Sequence, residues 1–293
     1  MSNQYYHQVP ISCQMCIMFR ENFSRRRICT DQTMKLYLLF LSASYYLLFC
    51  EGANMKIING DEVAPHSRPY MALIETLENN KKTLCCGSLI KSDWVLTAAH
   101  CNLTAGQTTV TLGAHSRKQN ETEKQKITVV KVYVFKSYNS STKQNDIQLV
   151  QLSQKARLGK AVNILLLPKT FEDLKKGTVC RIAGWGRTER EKLADMLLET
   201  NVTILDREKC KKVWKKMYDI TTDMLCTNVG AKGQDSCKGD SGGPLICDDV
   251  FRGLNSFGYN PCGTPKTSNV FTRLTKTYIS WIQETIGYQN SEE

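Results

Sequence analysis

Gly239-Asp240-Ser241-Gly242-Gly243-Pro244 places a serine among glycines, where the backbone can turn tightly and present a hydroxyl at its outer edge. Alone, such a turn says little. Upstream, Asn145-Asp146-Ile147 sets a carboxylate at the head of an apolar strand, and Leu96-Thr97-Ala98-Ala99-His100-Cys101 sets a histidine beside a cysteine in a run of small residues. A single histidine is more often structural than catalytic. Histidine, aspartate and serine in that order are a strong signal, because a serine hydroxyl is a poor nucleophile near neutral pH and needs a base.

The rest of the chain is compatible with one folded catalytic domain. Its 293 residues suffice for one large domain or two small ones. With 41% apolar and 23% charged residues, global disorder is excluded, and 18 Gly with 7 Pro exclude a collagen-like or low-complexity chain. The 39 Lys and Arg against 28 Asp and Glu leave a net charge of +11, which favours acidic partners without bearing on fold. Thirteen cysteines point to an oxidising compartment.

Past Lys56 the pattern is that of a β-protein. Thr108–Leu112, Ile127–Val134, Thr178–Ile182 and Asn201–Ile204 are rich in β-branched residues, with turn signals at Leu112-Gly113 and Lys176-Gly177. Many short strands at this spacing predict a sandwich or barrel. Helical periodicity is clear only over Thr275–Ile286, where Tyr278, Ile279, Ile282 and Ile286 share a face. The lysines at 209, 211, 212, 215 and 216 read as a solvated helix face.

The N-terminal segment differs. Leu36–Cys50 reads LYLLFLSASYYLLFC without a charge, preceded by Lys35 and followed by Gly52. It is short for a bilayer span of about 20 residues and has the length of a signal-peptide core, the alternative being a short type II membrane anchor. Met34 is a candidate initiator, which makes residues 1–33 an upstream extension absent from the working protein, 34–52 the signal peptide and 53–56 an activation peptide.

Together the His100, Asp146 and Ser241 motifs resemble those of the trypsin-like (chymotrypsin-fold) serine proteases, over residues Ile57 to about Ile286. Pro65-His66-Ser67-Arg68-Pro69-Tyr70-Met71-Ala72 and Leu112-Gly113-Ala114-His115-Ser116 are most similar to granzymes of the A and K type. The resemblance implies an all-β fold for 57–293: two six-stranded antiparallel β-barrels with the active site in the cleft between them and a C-terminal helix. It implies His100 as base, Asp146 as its orienting carboxylate, Ser241 as nucleophile, and the N–H groups of Gly239 and Ser241 as the oxyanion hole. It also implies the disulfides Cys85–Cys101, Cys180–Cys247, Cys210–Cys226 and Cys237–Cys262. Cys86 is left over, as a buried free thiol or, alternatively, one side of an intermolecular bridge.

In the family, a cut before the first Ile frees an ammonium that pairs with the Asp preceding the serine. Here the junction is Lys56-Ile57-Ile58-Asn59-Gly60, Asn59 departing from the usual Gly, and the acceptor is Asp240. Asp235 matches the acidic pocket floor of members that cut after Lys or Arg, and Ser256-Phe257-Gly258 matches the strand that pairs with substrate, Gly258 at the pocket mouth. Asn269 departs from the pattern where a pocket glycine is usual. It points either inward, onto Asp235, or away.

The expected activity is a secreted or granule-stored endopeptidase cutting after basic residues. The alternatives are an extracellular protease without a cytotoxic role and a catalytically silent binding protein with an occluded pocket. Expected partners are protein substrates, serpin-type inhibitors and sulfated glycosaminoglycans; no nucleic-acid module appears. The granzyme A dimer cysteine is missing from Phe135-Lys136-Ser137-Tyr138, which favours a monomer. Ala114 stands where calcium-binding trypsins carry Glu, so no metal and no cofactor are expected. Asn102, Asn120, Asn139 and Asn201 are glycosylation acceptors of the Asn-x-Ser/Thr kind.

Overall fold

The computed structural model describes residues 60–78, 81–188, 192–230 and 233–287. The upstream extension, the signal segment, the activation peptide and the Lys56–Ile57 junction lie outside the described residues. The strands are β1 (Asp61–Glu62), β2 (Met71–Glu78), β3 (Lys81–Lys91), β4 (Trp94–Thr97), β5 (Thr108–Leu112), β6 (Gln125–Val134), β7 (Gln148–Leu152), β8 (Val179–Gly184), β9 (Leu198–Ile204), β10 (Met224–Asn228), β11 (Pro244–Cys247), β12 (Val250–Phe257) and β13 (Ser268–Arg273). Two helices accompany them, α1 (Arg207–Trp214) and α2 (Lys276–Thr285).

The first barrel runs β2-β3-β4-β7-β6-β5 and closes where β5 pairs back onto β2, Ala72 facing Leu112. The second runs β9-β10-β13-β12-β11-β8 and closes through β8 on β9, with β1 added outside β9. Closure removes the unpaired strand edges that would otherwise invite aggregation. Every pairing is antiparallel, so the two-barrel expectation holds.

Side-chain alternation explains the layers. In β6, Ile127 and Val129 point into the first core while their neighbours face out. In β2 both faces are buried: Ala72 and Ile74 fill the first barrel, and Met71 and Leu73 pack with Ala183 and Trp185 of the second. That is why Met71–Ile74 reads as a continuous apolar run and gives no clean strand signal. The periodic stretch near the C-terminus forms α2, whose Tyr278, Ile279 and Ile282 pack on Trp94, Leu96 and Leu149 of the first barrel and Leu254 of the second. The helix thus ties the barrels together. Disulfides join Cys85–Cys101, Cys180–Cys247, Cys210–Cys226 and Cys237–Cys262, and Cys86 is a buried free thiol. The lysine run lies on and just beyond α1, where Lys209, Lys212, Lys215 and Lys216 are exposed.

Candidate active site

Strand register brings the histidine and the aspartate together. β4 runs antiparallel to β7 with Thr97 opposite Gln148, so the segment leaving β4 meets the segment entering β7. Gln148 Nε2 donates to the Ala98 carbonyl at 2.8 Å and fastens that junction. A short 3₁₀ turn, Ala99–Cys101, then presents His100, whose Nδ1 lies 2.7 Å from Asp146 Oδ2. The backbone N–H of His100 donates to Asp146 Oδ1 at 2.8 Å, and the Ser256 hydroxyl donates to Oδ2. Asp146 is fully buried. Burial pulls its pKa up, but the hydrogen bonds from His100 and Ser256 and the His100 charge outweigh it and hold the carboxyl below the ordinary range. An ionised carboxylate against Nδ1 keeps the proton there and leaves Nε2 as the basic nitrogen.

Ser241 enters from the second barrel, on the loop before β11. Its carbonyl accepts from Cys86 N–H of β3 at 2.8 Å, and the sulfur of Cys101, next to His100, lies 3.8 Å from the same oxygen. Gly242 makes the approach possible: at φ +78°, a Cβ there would overlap Thr97 Oγ1 and the Cys86 carbonyl oxygen. Gly239, at φ +107°, passes close to Gly186. The N–H groups of Asp240, Gly242 and Gly243 are taken by Cys237, Asn255 and Asp240 carbonyls. Those of Gly239 and Ser241 have no acceptor among the described residues.

Beside Ser241 is a cavity of about 110 Å³ lined by Ser236, Lys238, Asn255, Ser256, Gly258 and Tyr259, among others.

A model of the trypsin family matches residues 57–282. Granzyme A of Bos taurus is 45% identical over 254 residues, spanning 85% of this chain and 93% of the relative. Granzyme B of Rattus norvegicus is 40% identical over 255 residues, 86% of this chain and 99% of the relative. Among solved structures, neuropsin, a serine protease of mouse brain, superposes with a TM-score of 0.70 at 34% identity, covering 78% of this chain and all of that one.

The chain belongs to the trypsin family.

It is a granzyme-like serine endopeptidase of that family, and its fold is the family's two-barrel fold. The remaining sequence-predicted positions fall as follows. Asp240 is buried, and its carboxylate accepts from Gly186 N–H at 2.7 Å and Cys237 N–H at 2.9 Å. Burial, only partly offset by these two donors, pushes its pKa up to about 6. Lys56 and Ile57 lie outside the described residues. Asp235 is 2% exposed, accepts from Gly263 N–H at 2.7 Å and receives the Asn269 amide on its other oxygen. Of the two orientations open from sequence, Asn269 takes the inward one. Asn102, Asn120, Asn139 and Asn201 are all exposed. Among the described residues no group of three or more His, Cys, Asp or Glu side chains is placed to hold a metal ion, and no helix is long and apolar enough to cross a membrane.

Two contributors escaped the sequence reading. Ser256 was read as part of the substrate-pairing strand, yet its hydroxyl also binds Asp146. Cys86, a leftover thiol by sequence, holds the Ser241 loop by its backbone N–H. Neither role leaves a local signal, since both depend on a contact between distant strands.

Proposed function

We propose that the protein is an endopeptidase of the granzyme type, made as a precursor, cut between Lys56 and Ile57, and acting through His100, Asp146 and Ser241. The observation that carries this reading is the 2.7 Å contact of His100 Nδ1 with a buried, ionised Asp146 beside the Ser241 loop. In the reaction, His100 Nε2 takes the Ser241 proton as Oγ attacks the scissile carbonyl, and Asp146 stabilises the imidazolium. The oxyanion meets the Gly239 and Ser241 N–H groups, each such donor being worth about 2.7–4 kcal/mol in the transition state. His100 then protonates the leaving amine, and water repeats the cycle on the acyl-enzyme.

Activation is supported by Asp240. A buried carboxyl whose pKa rises to about 6 is one that a counter-ion would stabilise, and the Ile57 ammonium is the family's counter-ion. Asp235 supports cleavage after Lys or Arg, since it places a negative charge under the pocket beside Ser241. Storage in a secretory granule or secretion fits the leader-like segment Leu36–Cys50, the four bridges and the exposed acceptors Asn102, Asn120, Asn139 and Asn201. Serpin-type inhibitors and sulfated glycosaminoglycans are the partners that this activity suits, together with the net +8 left by 33 Lys and Arg against 25 Asp and Glu in residues 57–293.

The test is a 57–293 chain with a free Ile57 amine. It is labelled by a fluorophosphonate and cuts peptides after basic residues, and Ser241→Ala loses both. A chain retaining residues 53–56 is at least about tenfold less active, roughly 1.4 kcal/mol of lost ordering. Asp240→Asn matches it. Equal activity in the wild type and Ser241→Ala would end the mechanism.

A further inference from the structure

We infer that Asn269 is the residue that meets the substrate's P1 side chain, and that it makes this pocket select lysine over arginine. The inference rests on the endopeptidase reading above. Asn269 is 2% exposed, and its Nδ2 donates both to Asp235 Oδ1 and to Ser236 Oγ, the latter at 2.5 Å. With Gly263 N–H on Oδ2, the Asp235 carboxylate already has a donor on each oxygen before any substrate arrives. Because a carboxylate only accepts, the amide end facing it must be Nδ2, which fixes the direction of Oδ1. Asn269 Oδ1 lies against Gly258, where a Cβ would overlap it, and it has no hydrogen-bond partner.

Two consequences follow. First, Asn269 stands between Gly258, on the wall of the cavity beside Ser241, and the acidic floor, and neither Asn269 nor Asp235 lines that cavity. The pocket therefore ends one amide group short of Asp235. A guanidinium is long and planar and draws its advantage from a two-pronged contact with a free carboxylate, which here is spent on Asn269. Second, a buried acceptor without a donor is destabilising, and a ligand that brings an N–H there relieves it. A lysine ammonium is compact and carries three donors. It satisfies Oδ1 directly while remaining close enough to feel the Asp235 charge through the amide. Both features favour a shorter cation over a longer one.

The experiment compares kcat/KM for matched peptides with Lys, Arg and norleucine at P1, using the activated enzyme, Asn269→Gly, Asn269→Ala and Asp235→Asn. The expected result is Lys at least about tenfold above Arg in the wild type. Arg then rises at least about tenfold in Asn269→Gly and, more weakly, in Asn269→Ala, and the preference for Lys over norleucine falls in Asp235→Asn. Arg cut as well as Lys by wild-type enzyme that a fluorophosphonate labels overturns the role of Asn269 and leaves the endopeptidase reading standing. So does a Lys-to-Arg ratio unchanged in both Asn269 variants. Norleucine cut best, with Asp235→Asn neutral, overturns the basic specificity along with it. A chain that is neither labelled nor active on any of the three peptides overturns both readings.

Discussion

The thiol of Cys86 donates to the carbonyl oxygen of Gly239 at 3.3 Å. The same residue gives its N–H to the Ser241 carbonyl and accepts the Thr97 hydroxyl at 2.7 Å on its own carbonyl. One residue of the first barrel therefore touches the Ser241 loop on either side of Asp240. Burial, with the Asp240 charge beside it, pushes the thiol pKa up, so Cys86 stays protonated and able to donate.

Cys86→Ala leaves the Gly239 carbonyl without this partner and a small void beside Asp240. A several-fold loss in kcat with little change in KM is expected, with about 1–3 kcal/mol of stability lost. Cys86→Ser, which keeps a donor, should recover most of the kcat. Steady-state kinetics on the three proteins decide it. If Ser and Ala variants lose equal kcat, Cys86 only fills space.

Asp146→Asn replaces the acceptor facing His100 Nδ1 with an amide. The favoured tautomer then puts the proton on Nε2, where it blocks attack by Ser241. On the order of 10⁴-fold in kcat should be lost, with KM nearly unchanged. A loss below about tenfold, in protein with the wild-type melting curve, would remove Asp146 from the mechanism.

The raised pKa of Asp240 sets a pH dependence of stability in the proposed precursor. Folded Asp240 keeps its proton up to about pH 6, whereas an unfolded aspartate releases it near 3.9. Between those values the folded state binds more protons, so the contribution is full below about pH 4 and is lost as pH rises through 6. Melting temperatures of the precursor and its Asp240→Asn variant should diverge across that window, the wild type losing more. Parallel curves would show that Asp240 is not destabilised by ionising.

Asp235, pushed up to about 6 by burial despite donors from Gly263, Ser236 and Asn269, gives a second pH signature. Protonation below that value removes the charge that, on the proposed specificity, attracts a P1 ammonium. The ratio of kcat/KM for Lys to that for norleucine should therefore fall as pH drops through about 6. Taking the ratio cancels every effect of pH that both substrates share. A flat ratio would mean that Asp235 does not act on P1.

The sequence by itself determined the class of this protein. A histidine, an aspartate and a serine in order carried the resemblance that implied the family and its two barrels, while β-branched runs such as Thr108–Leu112 predicted a sandwich or barrel and the period over Thr275–Ile286 predicted the closing helix. These features are local, and side-chain period and turn chemistry report them directly. The tertiary structure decided everything that depends on which strands lie next to each other. The run Met71–Ile74 hid a strand because both of its faces are buried, one in each barrel. Ser256, near the end of β12, reaches Asp146, and Cys86, in the middle of β3, reaches Gly239, only because each meets a segment distant in sequence. Sequence left Asn269 free to point inward or outward. Its direction was decided by Asp235, Ser236 and Gly258, three residues from two other segments, since an amide buried among them turns its donor toward the carboxylate.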